Sequence, residues 1–474
     1  MAISYRWRIS DLRPRNRLTP ITAIALFWAA LPLTTACIDD TLVEAPAVSS
    51  VRALPDSSAP SLPIVRWPPP NVFQPTLVHA KRADDVVNSV GVNVHLGYFD
   101  TPYGWPWDGV FKPKLIALGI RHLRDGGVVY LDDRSNEIVY GRMKELADHG
   151  LKFNLIMRPA VGDVSYSDLP QFDRFLHYAA PVIESVEGMN EHDLSWRSDW
   201  VGEVRSFQRA LFDRIRRDPR TAHVPVYGPS MGDPANAAQV GDLSSHMDYG
   251  AIHPYSGGRQ PLAMLAEHQS KARLVSGDKP LVATEAGYHT GLGDRSDHPP
   301  VSEQAMARYI TRLVFEFFDA GVARTYLYEL LDQGSTQDRE HNFGLLRVDG
   351  SEKPAYFALK NLLALLTDPG PDFSPGRLAF TVTGDTVGTR RTLLEKRDRR
   401  FYIVIWQAAT SFDLATRTDI SRAEKHLTVE LGAPASQVRI FVPLTGASPV
   451  HQVDRVASVS VGVPDSPVVL EVIP

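Results

Sequence analysis

Between about residues 86 and 366, short apolar runs alternate with longer segments whose apolar residues recur at helical spacing. Such alternation is typical of a parallel sheet with helical crossovers. Eight repeats within about 280 residues fit a closed barrel better than an open sheet. The pattern therefore predicts an α/β protein with a TIM (β/α)8 barrel. The apolar runs span 90–96, 120–124, 153–157, 182–187, 224–228, 249–253, 281–284 and 324–330, and the helical segments include 141–149, 200–217, 262–275, 302–320 and 354–366.

The pattern changes after residue 366. The sequence Asp-Pro-Gly-Pro at 368–371 ends the last helical segment, and helical periodicity is largely absent from there on. Several of the remaining runs alternate polar and apolar residues, which is typical of strands with one buried face. We expect an all-β sandwich of about 100 residues. Its predicted strands span 378–382, 391–395, 401–406, 426–430, 438–442, 456–461 and 468–473.

The N-terminal residues have the pattern of an export signal. Five arginines between positions 6 and 17 precede a short apolar stretch at 21–33, which is too short to cross a bilayer comfortably. Cys37 follows in a sequence that resembles the lipidation site of bacterial lipoproteins; cleavage near Ala36 or a retained anchor are the alternatives, and all three export the chain. The expected location is periplasmic, extracellular or lipid-anchored to the envelope. The predicted organisation is a signal segment at 1–37, a Pro/Ser/Ala-rich linker at 38–75, the barrel at 76–367 and the sandwich at 368–474.

Charge and cysteine content restrict the partners. The net charge is -5 and the pI about 6.3, so the chain has no basic field for a nucleic acid. The single cysteine excludes zinc sites built on several thiolates. We therefore expect a neutral or weakly charged substrate, no bound cofactor or metal, and a monomer.

Two carboxylates stand where barrel chemistry is found, at the carboxyl ends of strands. The fourth apolar run ends in Glu187-Gly-Met-Asn190-Glu191, and the seventh leads into Glu285. Glycoside cleavage needs one carboxyl group to protonate the leaving oxygen and another to attack the anomeric carbon. We interpret Glu187 instead as a buried partner of Arg124 or Arg158.

The Asn-Glu dipeptide after strand four, together with a lone Glu after strand seven, resembles the clan of retaining glycosidases with (β/α)8 barrels, which includes cellulase-like, β-xylosidase-like and β-glucuronidase-like families. The resemblance covers roughly residues 86–366. It implies that Glu191 is the acid/base, that Glu285 is the nucleophile, and that Asn190 hydrogen-bonds the sugar 2-hydroxyl. The implied activity is hydrolysis of an oligo- or polysaccharide by double displacement.

Further residues match the clan at strand ends. Arg124 stands where the clan often pairs an arginine with the nucleophile, although it could instead pair with Asp84 or Asp125. His253 and Tyr255 match a histidine and a tyrosine that touch substrate or nucleophile, and His95 stands where the clan commonly contacts the sugar; core packing is the alternative for all three.

Strand eight departs from the clan, because Tyr328 and Glu329 stand where many members place a tryptophan platform, and this leaves the sugar open. Tyr328 is a candidate sugar contact, while Glu329 and Asp332 are interpreted as structural or subsite polar groups. Sugars pack their C–H faces on aromatic rings. The aromatic residues near predicted strand ends are Tyr98, Tyr103, Trp105, Trp107, Trp196, Trp200, Tyr288 and Tyr328, of which Trp105 is the second candidate platform; the loop at 103–107 could also be a hydrophobic plug.

Two other functions fit parts of the sequence. A metal-dependent barrel hydrolase could use His95, His253, His289 and Asp332, although no His-x-His or His-Glu-x-x-His motif supports that ligand set. A non-catalytic carbohydrate-binding envelope protein on a degenerate barrel is the other alternative, and the presence of both Glu191 and Glu285 argues against it.

Overall fold

The computed structural model describes residues 75–104, 107–159 and 171–474. The predicted signal segment, Cys37, nearly all of the linker and Trp105 lie outside the described residues. Within the described part of the chain, no helix is long and apolar enough to cross a membrane.

The eight apolar runs form a closed parallel barrel, which confirms the predicted class. Strands β1 and β2 (Thr76–His79 and Lys81–Arg82) precede it. The barrel strands are β3 (Val90–Asn93), β4 (His122–Gly126), β5 (Lys152–Ile156), β6 (Ile183–Glu187), β7 (Val226–Tyr227), β8 (Gly250–Ile252), β9 (Leu281–Ala286) and β10 (Arg324–Leu327). Neighbours pair in parallel from β3 to β7 and from β8 through β9 and β10 back to β3. A parallel bridge between Tyr227 and Tyr249 closes the ring between β7 and β8.

The α-helices of the described residues are α1 (Ala83–Asn88), α2 (Lys112–Leu118), α3 (Asp133–Asp148), α4 (Phe172–Ala179), α5 (Trp200–Arg217), α6 (Ala237–Val240), α7 (Leu265–Ser276), α8 (Glu303–Asp319) and α9 (Pro354–Leu366). Five helices overlap the predicted helical segments, although α3 begins at Asp133 rather than at residue 141, and α1, α2, α4 and α6 were not predicted. Side chains cap the N-termini of two long helices, α3 and α8. Asp132 accepts a hydrogen bond from the amide of Ser135, and Ser302 accepts one from the amide of Ala305. Pro354 occupies the first position of α9, where no amide hydrogen is needed.

The residues after α9 form antiparallel strands, as predicted. They are β11 (Arg377–Gly384), β12 (Thr389–Glu395), β13 (Phe401–Gln407), β14 (Phe412–Asp413), β15 (Thr418–Asp419), β16 (Lys425–Phe441), β17 (His451–Val463) and β18 (Val468–Ile473). The two strands predicted at 426–430 and 438–442 are one continuous strand, β16. The pairing of β16 with β17 shifts register between Glu430 and Ala435, so Pro434 lies at an irregularity that bends the strand without ending it.

The bend in the β16–β17 pair makes the C-terminal strands a sandwich. The first half of β16 pairs with β11 and its second half pairs with β18, so the strands β11 and β18 belong to different layers. Apolar side chains of the two layers pack between them, among them Phe380, Ile403, Val429 and Leu470. Strands β1 and β2, which precede the barrel in the chain, add to the same sheet by pairing with β11 and β12.

The outer face of β13 packs against the barrel helix α8. Trp406 is buried and stacks on Phe315 with ring centroids 5.6 Å apart, and its Nε1 donates to Glu316 at 2.9 Å. Arg312, also fully buried, donates to the carbonyl of Ala409 at 2.6 Å. The sandwich therefore covers an apolar and partly charged side of the barrel that would otherwise face water.

Candidate active site

The carboxyl end of β6 positions the first candidate carboxylate. The peptide amide of Glu191 donates to the carbonyl of Ser230 at 3.1 Å, and Asn190 forms a parallel bridge with Ser230, so the segment after β6 stays pinned to the one after β7. Glu191 has a left-handed backbone conformation with φ of 44°, which residues other than glycine rarely adopt. A residue held in such a conformation is found more often at functional sites than elsewhere.

Arg124 organises the interior of the barrel mouth. Its guanidinium donates two hydrogen bonds to Glu187, at 2.7 and 2.9 Å, in the bidentate geometry that favours this pair. Its remaining hydrogens reach Asn93 at 2.8 Å, Glu285 at 2.7 Å and Asn190 at 2.6 Å. The side chain is 2% exposed, so one buried cation on β4 links residues from three other segments of the chain.

The surroundings of Glu285 favour its ionised form. Glu285 lies next to the last residue of β9. One of its oxygens accepts a hydrogen bond from Arg124, and the other accepts one from the hydroxyl of Tyr255 at 2.8 Å. Burial opposes the charge of this carboxyl group, but the charges of His253 and Arg124 and the two hydrogen bonds outweigh burial. Together they hold the pKa of Glu285 below its ordinary value of 4.5.

His253 connects the two candidate carboxylates. Its Nδ1 lies 2.6 Å from Oε1 of Glu191 and 3.7 Å from Oε2 of Glu285, while its Nε2 lies 3.0 Å from the hydroxyl of Thr284. Burial opposes protonation of the ring, yet the charge of Glu285 and the hydrogen bond to Glu191 raise the pKa of His253 above 6.5. The site thus holds an ionised carboxylate, Glu285, beside a histidine that is hydrogen-bonded to the second carboxyl group, Glu191.

The structure brings together six of the nine sequence-predicted site residues. Glu191, Glu285, Arg124, His253 and Tyr255 are joined by the contacts described above. Asn190 joins them through its Oδ1, which accepts from Arg124 and also from the hydroxyl of Ser230 at 3.2 Å. The alternatives for Arg124 are not realised, because Asp84 pairs with Arg121 and Asp125 accepts from the amides of Leu96 and Gly126.

His95 and Tyr328 lie in an adjoining aromatic cluster. The ring of His95 stacks on Tyr98 at 4.5 Å and meets the edges of Tyr103 and Tyr328 at 5.5 and 5.8 Å. Tyr328 also packs edge-on against Tyr255, so the cluster is continuous with the site around Glu285. Trp105, the remaining candidate, lies outside the described residues.

The other predicted aromatics separate into buried and exposed groups. Tyr103 and Tyr288 are both buried, and Tyr288 donates to the carbonyl of Arg259. The Nε1 of Trp107 donates to Glu145 at 2.7 Å. Trp196, five residues after Glu191, is 79% exposed. The described part of the 103–107 loop therefore packs as a plug at Tyr103 rather than as an open platform.

Glu329 does not face the cleft, which excludes it as a substitute for the missing tryptophan platform. Its side chain is 0% exposed and accepts hydrogen bonds from Tyr103 at 3.0 Å and from Gln333 at 3.0 and 3.1 Å. Asp332 forms a buried ion pair with Lys353 at 2.8 Å. Both acidic groups are therefore bound within the protein, as their structural interpretation predicts.

Sequence reasoning did not find the polar groups that support the site. Asn93 donates to the carbonyl of Thr284 and accepts from Arg124, and Asn154 donates to Glu187 at 2.7 Å. Their signal was an asparagine inside an otherwise apolar strand, where a polar side chain needs a buried partner. The interpretation of Glu187 as a buried partner of Arg124 is confirmed.

The ligand set of the metal-dependent alternative is not assembled in the described residues. Asp332 is bound to Lys353, and His289 is bound through Nε2 to the carbonyl of His298 at 2.8 Å. The one group of three metal-binding residue types found in the described ranges is Glu191, His253 and Glu285, one ligand atom from each lying within 4.8 Å of the others. Arg124 and Tyr255 already occupy both oxygens of Glu285.

The comparisons with known proteins agree on the architecture. No protein-family model and no curated protein matches the sequence. Solved structures do match. A glucosidase from Croceicoccus marinus is 12% identical over 84% of this chain and 97% of its own, with a TM-score of 0.57. A family 39 glycoside hydrolase from Bacteroides cellulosilyticus WH2 is 15% identical over 82% of both chains, with a TM-score of 0.54.

A family 39 β-xylosidase from Caulobacter crescentus is 16% identical over 84% of this chain and 98% of its own, with a TM-score of 0.50. The chain therefore shares the fold of these structures, a barrel with an added β domain. This agrees with the resemblance to the barrel clan at the level of architecture. At such low identity the fold alone is shown, and the activity has to be argued from the site.

Proposed function

We propose that the protein is a retaining glycoside hydrolase in which Glu191 is the acid/base and Glu285 the nucleophile. The observation that carries the proposal is the unequal environment of these two carboxyl groups. Glu285 receives hydrogen bonds from a guanidinium and a phenol, which favour its ionised form, whereas Glu191 is bonded to a histidine that can share a proton with it. Two neighbouring carboxyl groups in different environments are the usual basis for acid and nucleophile roles.

In the first step, Glu285 attacks the anomeric carbon while the bond from that carbon to the glycosidic oxygen breaks. The leaving oxygen takes the proton held by the Glu191–His253 pair, and a glycosyl ester forms on Glu285. Tyr255 and Arg124 orient the attacking carboxylate, and their hydrogen bonds also stabilise it as the leaving carboxylate of the second step. Asn190, fixed by Arg124 and Ser230, is positioned to meet the sugar 2-hydroxyl.

In the second step, Glu191 removes a proton from water as the water oxygen attacks the anomeric carbon. The ester bond to Glu285 breaks, and the carboxylate returns to Arg124 and Tyr255. Loss of the negative charge on Glu285 during the intermediate removes one interaction that raises the pKa of His253, which favours release of a proton from that ring.

The separation of the carboxyl groups supports retention of configuration. An oxygen of Glu191 and an oxygen of Glu285 lie within 4.8 Å of each other. Retaining enzymes place the two groups about 5–5.5 Å apart, and inverting enzymes leave about 6.5–9.5 Å for a water molecule. The present spacing is therefore closer to that of retaining enzymes than to that of inverting ones.

The test is a screen of aryl glycosides of common pyranoses and of oligosaccharides with wild type and two variants. Glu191→Gln should lower kcat/KM by about 10²–10⁴-fold for poor leaving groups and much less for 2,4-dinitrophenyl glycosides, whose leaving group needs no proton. Glu285→Gln should abolish activity on both.

Glu184→Gln is the matched control, because Glu184 lies at the other end of the same strand and also binds a histidine and an arginine. In Glu184→Gln, kcat/KM should depend on the leaving group as it does in wild type. Equal behaviour of wild type and all three variants on every sugar would contradict the proposal and favour a non-catalytic carbohydrate-binding protein.

Export and anchoring extend the same proposal. The basic and apolar N-terminal segment supports secretion to the envelope, where polysaccharides occur, and Cys37 supports a lipid tether. Expression of wild type and Cys37→Ala with membrane fractionation tests this: the wild type should sediment with membranes and the variant should not. Cytoplasmic recovery of both would contradict export.

A further inference from the structure

Glu329 is a buried acidic residue for which the proposed reaction has no use. No part of its side chain is exposed, and within hydrogen-bond range of its carboxyl group the described residues place only neutral groups. Burial raises the pKa of Glu329 well above its ordinary value, and the charges of Asp332 and Glu340 oppose ionisation further, although hydrogen bonds from Gln333 and Tyr103 act the other way. A carboxyl group in these surroundings stays protonated at neutral pH and therefore has a hydrogen to donate.

The neighbours of Glu329 leave one acceptor for that hydrogen. The hydroxyl oxygen of Tyr103 accepts from the amide of Leu331 at 3.3 Å, so its own hydrogen is free to point at Oε2 of Glu329. The amide nitrogen of Gln333 also acts as a donor to the carboxyl group. Nε2 of His95 is buried, lies 3.3 Å from Oε2, and makes no hydrogen bond of standard geometry with any described residue, so this short contact is the open place for the hydrogen.

The ring of His95 is fixed in orientation and is neutral. Three aromatic rings hold it, with Tyr98 stacked on its face and Tyr103 and Tyr328 at its edges. Burial lowers the pKa of His95 to about 4, with smaller and opposed effects from Glu285 and Arg124. A neutral imidazole carries one hydrogen, so a ring that accepts at Nε2 must carry its hydrogen on Nδ1. Nδ1 has no hydrogen-bond partner in the described ranges, and the side chain is 13% exposed.

We propose that Glu329 is a positioning residue that donates a hydrogen bond from its protonated carboxyl group to Nε2 of His95, so that His95 presents Nδ1–H to an oxygen of the bound sugar. The sugar contact rests on the proposed glycoside hydrolase function, whereas the tautomer of His95 does not. Glu285 and Glu329 then have opposite protonation states within one site, one ionised to attack carbon and one neutral to donate a hydrogen bond.

The tautomer is measured directly on the wild-type protein. Long-range ¹H–¹⁵N correlation spectra of ¹⁵N-histidine-labelled protein distinguish the protonated ring nitrogen from the other, and the His95→Asn variant assigns the signals. We expect Nδ1 to be protonated and Nε2 to be unprotonated at pH 7. A hydrogen on Nε2, or a doubly protonated ring paired with an ionised Glu329, would overturn the proposal.

Two substitutions separate a donor role from a packing role. Glu329→Gln supplies an uncharged N–H donor, so Nδ1 of His95 should stay protonated in its spectrum. Its amide nitrogen cannot accept from Tyr103 as Oε2 does, so kcat/KM for the glycoside cleaved in the screen should fall, but by less than in Glu329→Leu. Glu329→Leu removes the donor and should lower kcat/KM about tenfold, mainly through KM, with both His95 tautomers populated.

Failure of the two proposals is distinguishable. If no sugar is cleaved, the spectra of wild type and of Glu329→Gln still decide the tautomer. If sugar is cleaved but Glu329→Gln is as impaired as Glu329→Leu, or if its His95 carries the hydrogen on Nε2, the donor role is wrong while the glycosidase function stands.

Discussion

Replacement of Arg124 by methionine tests how the buried hydrogen bonds of this residue contribute to stability and to activity. Arg124→Met keeps an apolar stem of similar length and removes all five hydrogen bonds of the guanidinium. It leaves Glu187 with no exposed surface and with the amide of Asn154 as its remaining partner. It also leaves Glu285 with one donor, Tyr255.

The expected loss of stability follows from stranding a buried charge. Removal of one partner of a buried ion pair typically costs about 3–5 kcal/mol, whereas replacement of both partners by apolar groups is often neutral. The entropy of unfolding is roughly 2.1 cal/mol/K per residue, and the folded unit has about 400 residues. Divided by that entropy, the loss of stability lowers Tm by about 4–6 °C. The double variant Arg124→Met/Glu187→Leu should regain the part of the loss that Glu187 causes, because that charge no longer remains buried alone, whereas Glu285 stays without its cation.

Thermal unfolding and kinetics are measured on the same four proteins: wild type, each single variant and the double variant. Part of the stability should recover in the double variant, while kcat/KM should stay at least about 100-fold low because Glu285 still lacks its cation. Additive losses of stability in the double variant would show that Arg124 and Glu187 do not act as a pair. Near-wild-type activity in the double variant would refute the role assigned to Arg124 in supporting Glu285.

Three further outcomes follow from the structure. Because the hydroxyl of Tyr255 favours the ionised form of Glu285, whose pKa is held below 4.5, Tyr255→Phe should move the acid limb of kcat/KM to higher pH; an unmoved limb would contradict this contact. Truncation after residue 367 removes Trp406 from Phe315 and should give insoluble protein, whereas a soluble, fully active truncate would show that the sandwich is independent. Treatment with a chelator should leave activity unchanged, because both oxygens of Glu285 are already bonded; a loss that added metal restores would favour the metal-dependent alternative.

The topology of a parallel barrel explains why the fold and the proximity of its candidate site residues could be predicted from the sequence. The carboxyl ends of parallel strands lie at one edge of the barrel, so residues that follow the strands converge there whatever their distance in sequence. Arg124, Glu191 and Glu285 were found in this way. Two helices, α5 and α9, also begin and end at the predicted residues, because clear apolar periodicity and the proline at position 354 define them.

Other features depend on contacts that a local pattern does not contain. Strand β16 continues past Gly432 and Pro434 because its partners β17 and β18 take up the hydrogen bonds on either side of the bend. Glu329 lies two residues beyond the end of β10, and its contact with Tyr103, more than 200 residues away in the chain, is not visible in any local pattern. Strands β1 and β2 have four and two residues, too few for a periodicity to appear.

The most direct test of the central claim is covalent trapping of the nucleophile. A 2-deoxy-2-fluoro analogue of the cleaved sugar with a good leaving group slows hydrolysis of the glycosyl ester, because fluorine at C2 disfavours the positively charged transition state. Intact-mass analysis and peptide mapping then locate the label. The account predicts one sugar per chain, attached to Glu285 and absent from Glu285→Gln. Label on another residue, or turnover with inversion and no trapped ester, would contradict it.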